Sequence, residues 1–134
     1  MQNQKLLYYA AAATTGLAGI LHLFMAPMAY GFNISTGVFF AIAGIAQLFW
    51  AIPMIKRWSG AWNYTGIAGT AGLIALWVIT RMPNPITGGQ ALPVNEIGVA
   101  VEGIQSAFIT LVATIVVRER KMKELSRRTA AEAA

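Results

Sequence analysis

Four long apolar runs, separated by short polar segments, divide the chain. They cover residues 6–28, 36–55, 62–80 and 94–117, and a helix needs roughly 20 such residues to cross the hydrocarbon core of a bilayer. Because the connections are short, consecutive helices should lie beside one another and antiparallel. The pattern therefore predicts an all-α fold, a four-transmembrane-helix up-down bundle within residues 1–117, followed by a basic cytoplasmic tail, residues 118–134.

The positive charges predict the orientation of this bundle. Four crossings place both chain ends on one side of the membrane, and only Arg81 would lie on the opposite side. The other nine of the ten Lys and Arg residues would share the side of the ends: Lys5, Lys56, Arg57, Arg118, Arg120, Lys121, Lys123, Arg127 and Arg128. Since Lys and Arg accumulate in cytoplasmic segments, we expect both termini in the cytoplasm and a multi-pass protein of the plasma membrane.

Composition excludes several classes of protein. Apolar residues make up 57% of the chain and charged residues 11%, with a mean hydropathy of +0.58, which is not typical of a soluble domain. The pI near 10.0 does not indicate nucleic-acid binding, because the basic residues flank the predicted spans and should attract anionic lipid. The chain has no cysteine, which excludes disulfides, thiolate metal sites and cysteine nucleophiles.

Small residues in the second and third spans are spaced for close helix packing. In lipid, such spacing lets two helix backbones approach and drives their association. The pattern fits packing within the bundle, and it also fits a homo-oligomer or docking on another membrane subunit. The residues concerned are Gly37, Ala41 and Gly44 in the second span, and Gly66, Gly69 and Gly72 in the third.

Polar residues inside the spans are the candidates for chemistry. At 1.5 Å per residue, His22, Arg81 and Glu102 should share one layer roughly 6 Å below the outer edge. Because a charge facing lipid costs about 2.5–3.5 kcal/mol or more, these side chains should turn inward. We expect a polar intramembrane cluster that also contains Gln105 and, nearer the midplane, Gln47. Within it, Glu102 would pair with Arg81 or hydrogen-bond His22 and fix its tautomer; alternatively the cluster only fixes helix register.

Two ligand hypotheses follow from these residues. His22, Met25 and Met28 combine imidazole with thioethers, a set that suits Cu(I), although their spacing spreads them over about 120° of helix surface. A loosened helix end would be needed to gather them. The second hypothesis is a proton or small-molecule path through the polar cluster. The chain has no phosphate-binding glycine loop, nucleophile elbow or zinc motif, so we expect no catalysis by this chain alone.

Several short strings resemble a family of small four-helix prokaryotic membrane proteins with no settled biochemical function. The resemblance spans about residues 15–108. Members of that family often have an acidic residue and a second histidine after the Ala-Pro pair, where this chain has Met28 and Ala29, so a two-histidine site implied by the family would lose a ligand. The matching residues are His22-Leu23, Ala26-Pro27, Gly37-Val38-Phe39-Phe40, Gly44, Gln47, Trp50-Ala51, Leu73-Ile74-Ala75-Leu76-Trp77, Thr80-Arg81, Glu96 and Glu102.

Two looser likenesses add expectations about partners. In general style, and in the loop from Thr80-Arg81 to Gly88, the chain resembles small multi-span proteins of ammonia-oxidising archaea that accompany a copper-dependent membrane monooxygenase. In size and topology it resembles four-helix proteins of the DoxX type, which implies a quinone-linked partner. The resulting expectation is a non-catalytic accessory or structural subunit of a membrane complex; the alternative is a membrane protein that handles a small ligand, protons or copper.

Overall fold

The computed structural model describes residues 2–85, 88–89 and 91–134, and within this part of the chain all regular structure is helical. The helices are α1 (Gln2–Phe32), α2 (Ile34–Lys56), α3 (Gly60–Thr80) and α4 (Glu96–Ala133). Each is long and apolar enough to cross a membrane, and large apolar side chains such as Phe24, Ile42 and Ile45 are exposed on the outside of the bundle. The prediction of an all-helical protein with four helices long and apolar enough to span a membrane is confirmed.

Each helix extends beyond its predicted span at one or both ends, although α4 begins two residues later than predicted. The expected loop at residues 29–35 shrinks to Asn33, whose amide donates to Ala29 O (3.2 Å) while its side chain accepts from Thr36 N (2.7 Å). One asparagine thus ends α1 and caps α2. Near the C-terminus, α4 continues without a break past residue 117 into the basic tail. In the tail, Glu124 and Arg128 form an exposed i,i+4 ion pair (2.7 Å).

Helix α1 lies at the centre of the helix packing. It contacts α2 extensively and α4 more narrowly, α4 also contacts α3, and α2 barely touches α3. Thr15 Oγ1 of α1 donates to Gln47 O of α2 (3.1 Å), and Gly19 lies directly against Gly44. The two pairs run in opposite order along the chain, so α1 and α2 are antiparallel. Their backbones come close at Gly19 and Gly44, which have no side chains.

Both chain ends lie at the same end of the bundle, which we call the terminal end. There Tyr8 of α1 donates a hydrogen bond to Glu119 of α4 (2.5 Å) and accepts one from Asn63 Nδ2 of α3 (3.2 Å). The Arg57 guanidinium stacks over the Tyr8 ring at 4.9 Å. The opposite end, called the far end, carries Asn33 and the described residues between α3 and α4, which are 81–85, 88–89 and 91–95. Below the Tyr8 contacts, the buried apolar core contains Ala11, Ala12, Met54, Phe108, Val112 and Ile115.

The Gly19–Gly44 contact gives a stability prediction. In Gly19→Ala the new Cβ would lie 2.7 Å from Gly44 O and 2.9 Å from Leu48 N, both backbone atoms. Because backbone cannot rotate away, α1 and α2 must separate, and we expect the free energy of unfolding to fall by about 1–3 kcal/mol. Gly16→Ala is the matched control, since its Cβ would meet no atom within 4 Å. Denaturant unfolding in detergent measures both; equal stability of the two variants would contradict the close approach.

The hydrogen bonds of Tyr8 give a second stability prediction. Tyr8→Phe removes the hydroxyl that joins Asn63 to Glu119 and leaves the buried Asn63 amide without this acceptor, so we expect a loss of about 1–3 kcal/mol. Tyr9→Phe is the control, because Tyr9 is 46% exposed and its ring lies only near Lys5. The same unfolding assay applies. A Tyr8→Phe protein as stable as the Tyr9→Phe protein would exclude a stabilising role for this hydroxyl.

Candidate functional site

A cleft lies between α2 and α3, the two helices that barely touch. It contains two adjoining cavities, which share Phe39 of α2 and Leu73 of α3 in their walls. The far cavity, about 150 Å³, lies toward the far end and reaches His22 and Glu102. The middle cavity, about 300 Å³, lies deeper in the bundle. Because they share these two wall residues, we call the two cavities together the cleft.

Aromatic residues close the cleft at the terminal end. Trp50 Nε1 of α2 donates to Trp62 O of α3 (3.2 Å), and the two ring centroids are 5.1 Å apart. Gly66 lets this contact form, because a Cβ there would lie 2.7 Å from Trp50 Nε1. Toward the far end the helices separate, and Ile42 and Gly69 on the two walls are exposed. The cleft therefore opens sideways, toward the surface that lipid would cover.

His22 of α1 forms part of the back wall of the far cavity. It is only 5% exposed, and its Nδ1 lies 2.9 Å from Ala18 O. A carbonyl oxygen accepts, so Nδ1 carries the proton, and in the neutral imidazole Nε2 remains an acceptor. Phe40 of α2 packs against the ring at 5.5 Å between centroids. The helix backbone thus fixes the tautomer that Glu102 was expected to fix.

Arg81 and Glu102 line the same far cavity as His22, so the three residues expected at one depth are brought together. The Arg81 guanidinium stacks over the Trp77 ring at 4.7 Å and donates to Thr80 Oγ1 (3.3 Å). Glu102 Oε2 is buried without a hydrogen-bond partner. Arg81 and Glu102 attract each other electrostatically, but among the described contacts they do not form an ion pair, and Glu102 does not hydrogen-bond His22.

The two glutamines lie deeper than these three residues. Gln47 lines the middle cavity. Its side chain lies close enough to the His22 imidazole to interact with it, but Gln47 Oε1 has no hydrogen bond of normal geometry. Gln105, 1% exposed, is about one turn below Glu102 on α4, and neither its Oε1 nor its Nε2 has a partner. Each unsatisfied buried group costs about 1–3 kcal/mol. A cluster with a purely structural role would have its hydrogen bonds satisfied, whereas this cluster leaves several buried polar atoms without a partner.

The three residues of the copper hypothesis do not share one cavity. Met25 and Met28 line a third cavity of about 60 Å³ beside Arg81, whereas His22 lines the far cavity. Helix α1 continues to Phe32, so the helix end is not loosened and the side chains keep their helical spread. Within the described residues no group of three or more His, Asp or Glu side chains is arranged to hold a metal ion. A cationic guanidinium beside the thioethers also disfavours a copper ion there.

Trp77 is the main site residue that the sequence reasoning missed. It lines the far cavity, carries the Arg81 guanidinium on its ring, and has a buried Nε1 without a partner. Its indole lies against Gly98 of α4, where a Cβ would be 3.1 Å from Nε1. The available signal was the i,i+4 spacing of Trp77 and Arg81, which places both on one face of a helix.

Comparison with known proteins was made by family models, by sequence and by structure. No family model, no curated protein and no solved structure matches the chain. The candidate site is therefore defined by its own geometry: two adjoining cavities between α2 and α3, one with a polar wall and one largely apolar.

Proposed function

We propose that this protein binds a lipid-soluble molecule in the cleft, with the molecule's polar head in the far cavity and its apolar part in the middle cavity. The observation that carries this proposal is the convergence of His22, Arg81 and Glu102, from three different helices, on one cavity beside the exposed cleft. Ligand sites are typically apolar pockets with a few convergent polar groups. Ionisable residues inside a membrane are also candidates for function, because burying them there is costly.

The polarity of the cleft supports this placement of the ligand. The far cavity adds Trp77 and Thr80 to the three ionisable residues. The middle cavity has a mostly apolar surface, to which Ile42, Ala43, Ala46 and Leu73 contribute. An apolar chain lying in the middle cavity would replace lipid against these walls. A polar head in the far cavity would lie beside the side chains of His22, Arg81 and Glu102.

A proton path across the membrane is less well supported than ligand binding. Between Gln105 and the terminal end, the α4 side of the core consists of fully buried Phe108, Val112 and Ile115, which belong to one apolar cluster with Met54 of α2. A proton path needs hydrogen-bonding groups or water at short intervals, and apolar packing of this kind offers neither. The polar residues thus form a pocket that ends inside the bundle.

The proposal places the far end at the outer face of the plasma membrane, with both termini in the cytoplasm. The excess of Lys and Arg at the terminal end supports this orientation. Because the chain has no cysteine, single cysteines can be labelled without background. In intact cells a membrane-impermeant maleimide should label Gly31→Cys at the far end, but Ala130→Cys only after permeabilisation. Labelling of Ala130→Cys in intact cells would overturn the orientation.

Filling the cleft should abolish binding. Gly69 lines the middle cavity, and no atom lies within 4 Å of where its Cβ would be, so Gly69→Phe can place a ring in the cleft without a backbone clash. Gly72→Phe is the control on the same helix, since Gly72 has equal room but does not line either cavity. We expect mass spectrometry to find a lipid-soluble molecule retained by wild type and by Gly72→Phe and lost from Gly69→Phe. Equal retention by both variants would reject the cleft as the site.

Docking within a larger membrane complex is a second candidate function. Helix α3 contacts mainly α4, and it exposes a face of small residues formed by Ala68, Ala71, Gly72 and Ala75. Such faces allow another helix to approach closely in lipid. The control variant Gly72→Phe tests this candidate as well: if α3 docks on a partner subunit, Gly72→Phe should lose that subunit on purification in mild detergent while it keeps the cleft ligand.

A further inference from the structure

Exposed cations surround the terminal end of the bundle where the apolar spans end. Among the described residues the one ion pair joins Glu124 to Arg128, and it lies farther along the tail. The cations nearer the bundle therefore have no anionic partner within the described part of the chain. We call them the basic collar; they are Lys5 of α1, Lys56 of α2, and Arg118, Arg120, Lys121 and Lys123 of α4, all of them exposed.

The carboxylate nearest to the basic collar faces the inside of the bundle. Glu119 is partly buried and accepts a hydrogen bond from the Tyr8 hydroxyl (2.5 Å). The Arg57 guanidinium is stacked over the same tyrosine ring at 4.9 Å. Glu119 is thus engaged in a contact between helices and does not pair with a cation of the collar, so the collar presents positive charge to its surroundings.

The depth of the collar follows from the continuity of α4, which runs from the span into the tail without a break. Counted from Val117, at the end of the apolar span, the residues from Arg118 to Lys123 lie about 2–9 Å farther along the helix axis. The headgroup layer beyond the hydrocarbon is about 5–8 Å thick on each side of a bilayer. Helical side chains point back toward the helix N-terminus, which for α4 is the direction of the membrane. The collar cations of α4 therefore reach the headgroup layer, whereas Arg127 and Arg128 begin about 15 Å beyond Val117.

We propose that the basic collar binds the phosphate headgroups of anionic phospholipids in the leaflet at the terminal end, and that the rest of the tail helix stands away from the membrane. Charge complementarity favours this occupant, because anionic headgroups attract basic residues that lie within a screening length of the surface. Nucleic acid fits less well, since residues 118–134 contain no aromatic side chain on which a base could stack. An acidic protein would have to displace the headgroups that already surround the collar. Lipid binding at the collar does not depend on a ligand in the cleft.

The test measures which lipid associates with the full-length protein in phosphatidylcholine bilayers. Electron paramagnetic resonance of spin-labelled phosphatidylglycerol and phosphatidylcholine gives the ratio of their association constants with the protein. We expect wild type to prefer phosphatidylglycerol at about 0.15 M salt and to lose most of this preference at about 1 M salt, where the screening length falls to about 3 Å. Arg120→Gln combined with Lys121→Gln should lower the ratio by up to about fivefold for each cation removed.

Arg127→Gln combined with Arg128→Gln is the matched control. It removes the same charge from the same helix, but from positions that lie beyond the headgroup layer by about a screening length, so we expect the ratio to change less than about twofold. All four substituted residues are exposed, and glutamine is as good a helix former as lysine or arginine. Both double variants should therefore keep the helix content of wild type, which circular dichroism checks.

Three results would overturn the proposal. Equal losses of preference in the two double variants would mean that only the net charge of the tail matters or that the tail lies along the membrane surface. A wild type without a preference for phosphatidylglycerol, or a preference that high salt does not weaken, would exclude charge-based lipid binding. A preference that survives intact in the variant with Arg120→Gln and Lys121→Gln would exclude the tail cations of the collar. Gly69→Phe should keep the wild-type preference, so failure of the cleft and failure of the collar are separate results.

Discussion

The contact between Trp50 and Gly66 governs the shape of this protein. Helices joined by so short a turn would ordinarily pack along their whole length, but α2 and α3 meet mainly near the turn. There the Trp50 indole lies against the glycine and donates to Trp62 O, and Phe49 packs against the Trp62 ring. Beyond that point the two helices are held by different neighbours, α2 by α1 and α3 by α4. The cleft is the space left between them, so its depth and its closed lower end both follow from this one contact.

Helix periodicity and length predicted four apolar helices, and helix rise predicted that His22, Arg81 and Glu102 lie at a common depth. Both depend on local geometry, which a sequence specifies well. Which helices touch could not be predicted, because α2 and α3 both carry small residues three or four positions apart. In the fold, Gly44 of α2 packs against Gly19, whereas a Cβ on Gly69 or Gly72 of α3 would meet no atom within 4 Å.

Pairing within the polar layer was harder to predict than its depth. Opposite charges in a membrane were expected to meet, yet the Arg81 guanidinium stacks on Trp77 and Glu102 keeps a buried oxygen without a partner. Residue spacing indicates which groups share a level, but rotamers and aromatic neighbours decide which groups touch. The extent of α1 and α2 was likewise decided by a single side chain, since Asn33 alone serves as loop and cap.

Access to the far cavity depends on Leu92, which lies between α3 and α4. Leu92 N donates to Thr80 O (2.7 Å), which holds this residue beside the end of α3, and its side chain lies in the wall of the far cavity. Gly88 and Gly89 adopt positive φ angles of 68° and 85°, a conformation that favours glycine. With the far end covered by Leu92 and the terminal end closed by Trp50 and Trp62, the gap between α2 and α3 is the open route. Under the proposed function, a molecule that reaches His22, Arg81 and Glu102 by this route would come from the lipid phase, so it would have to be soluble in the membrane.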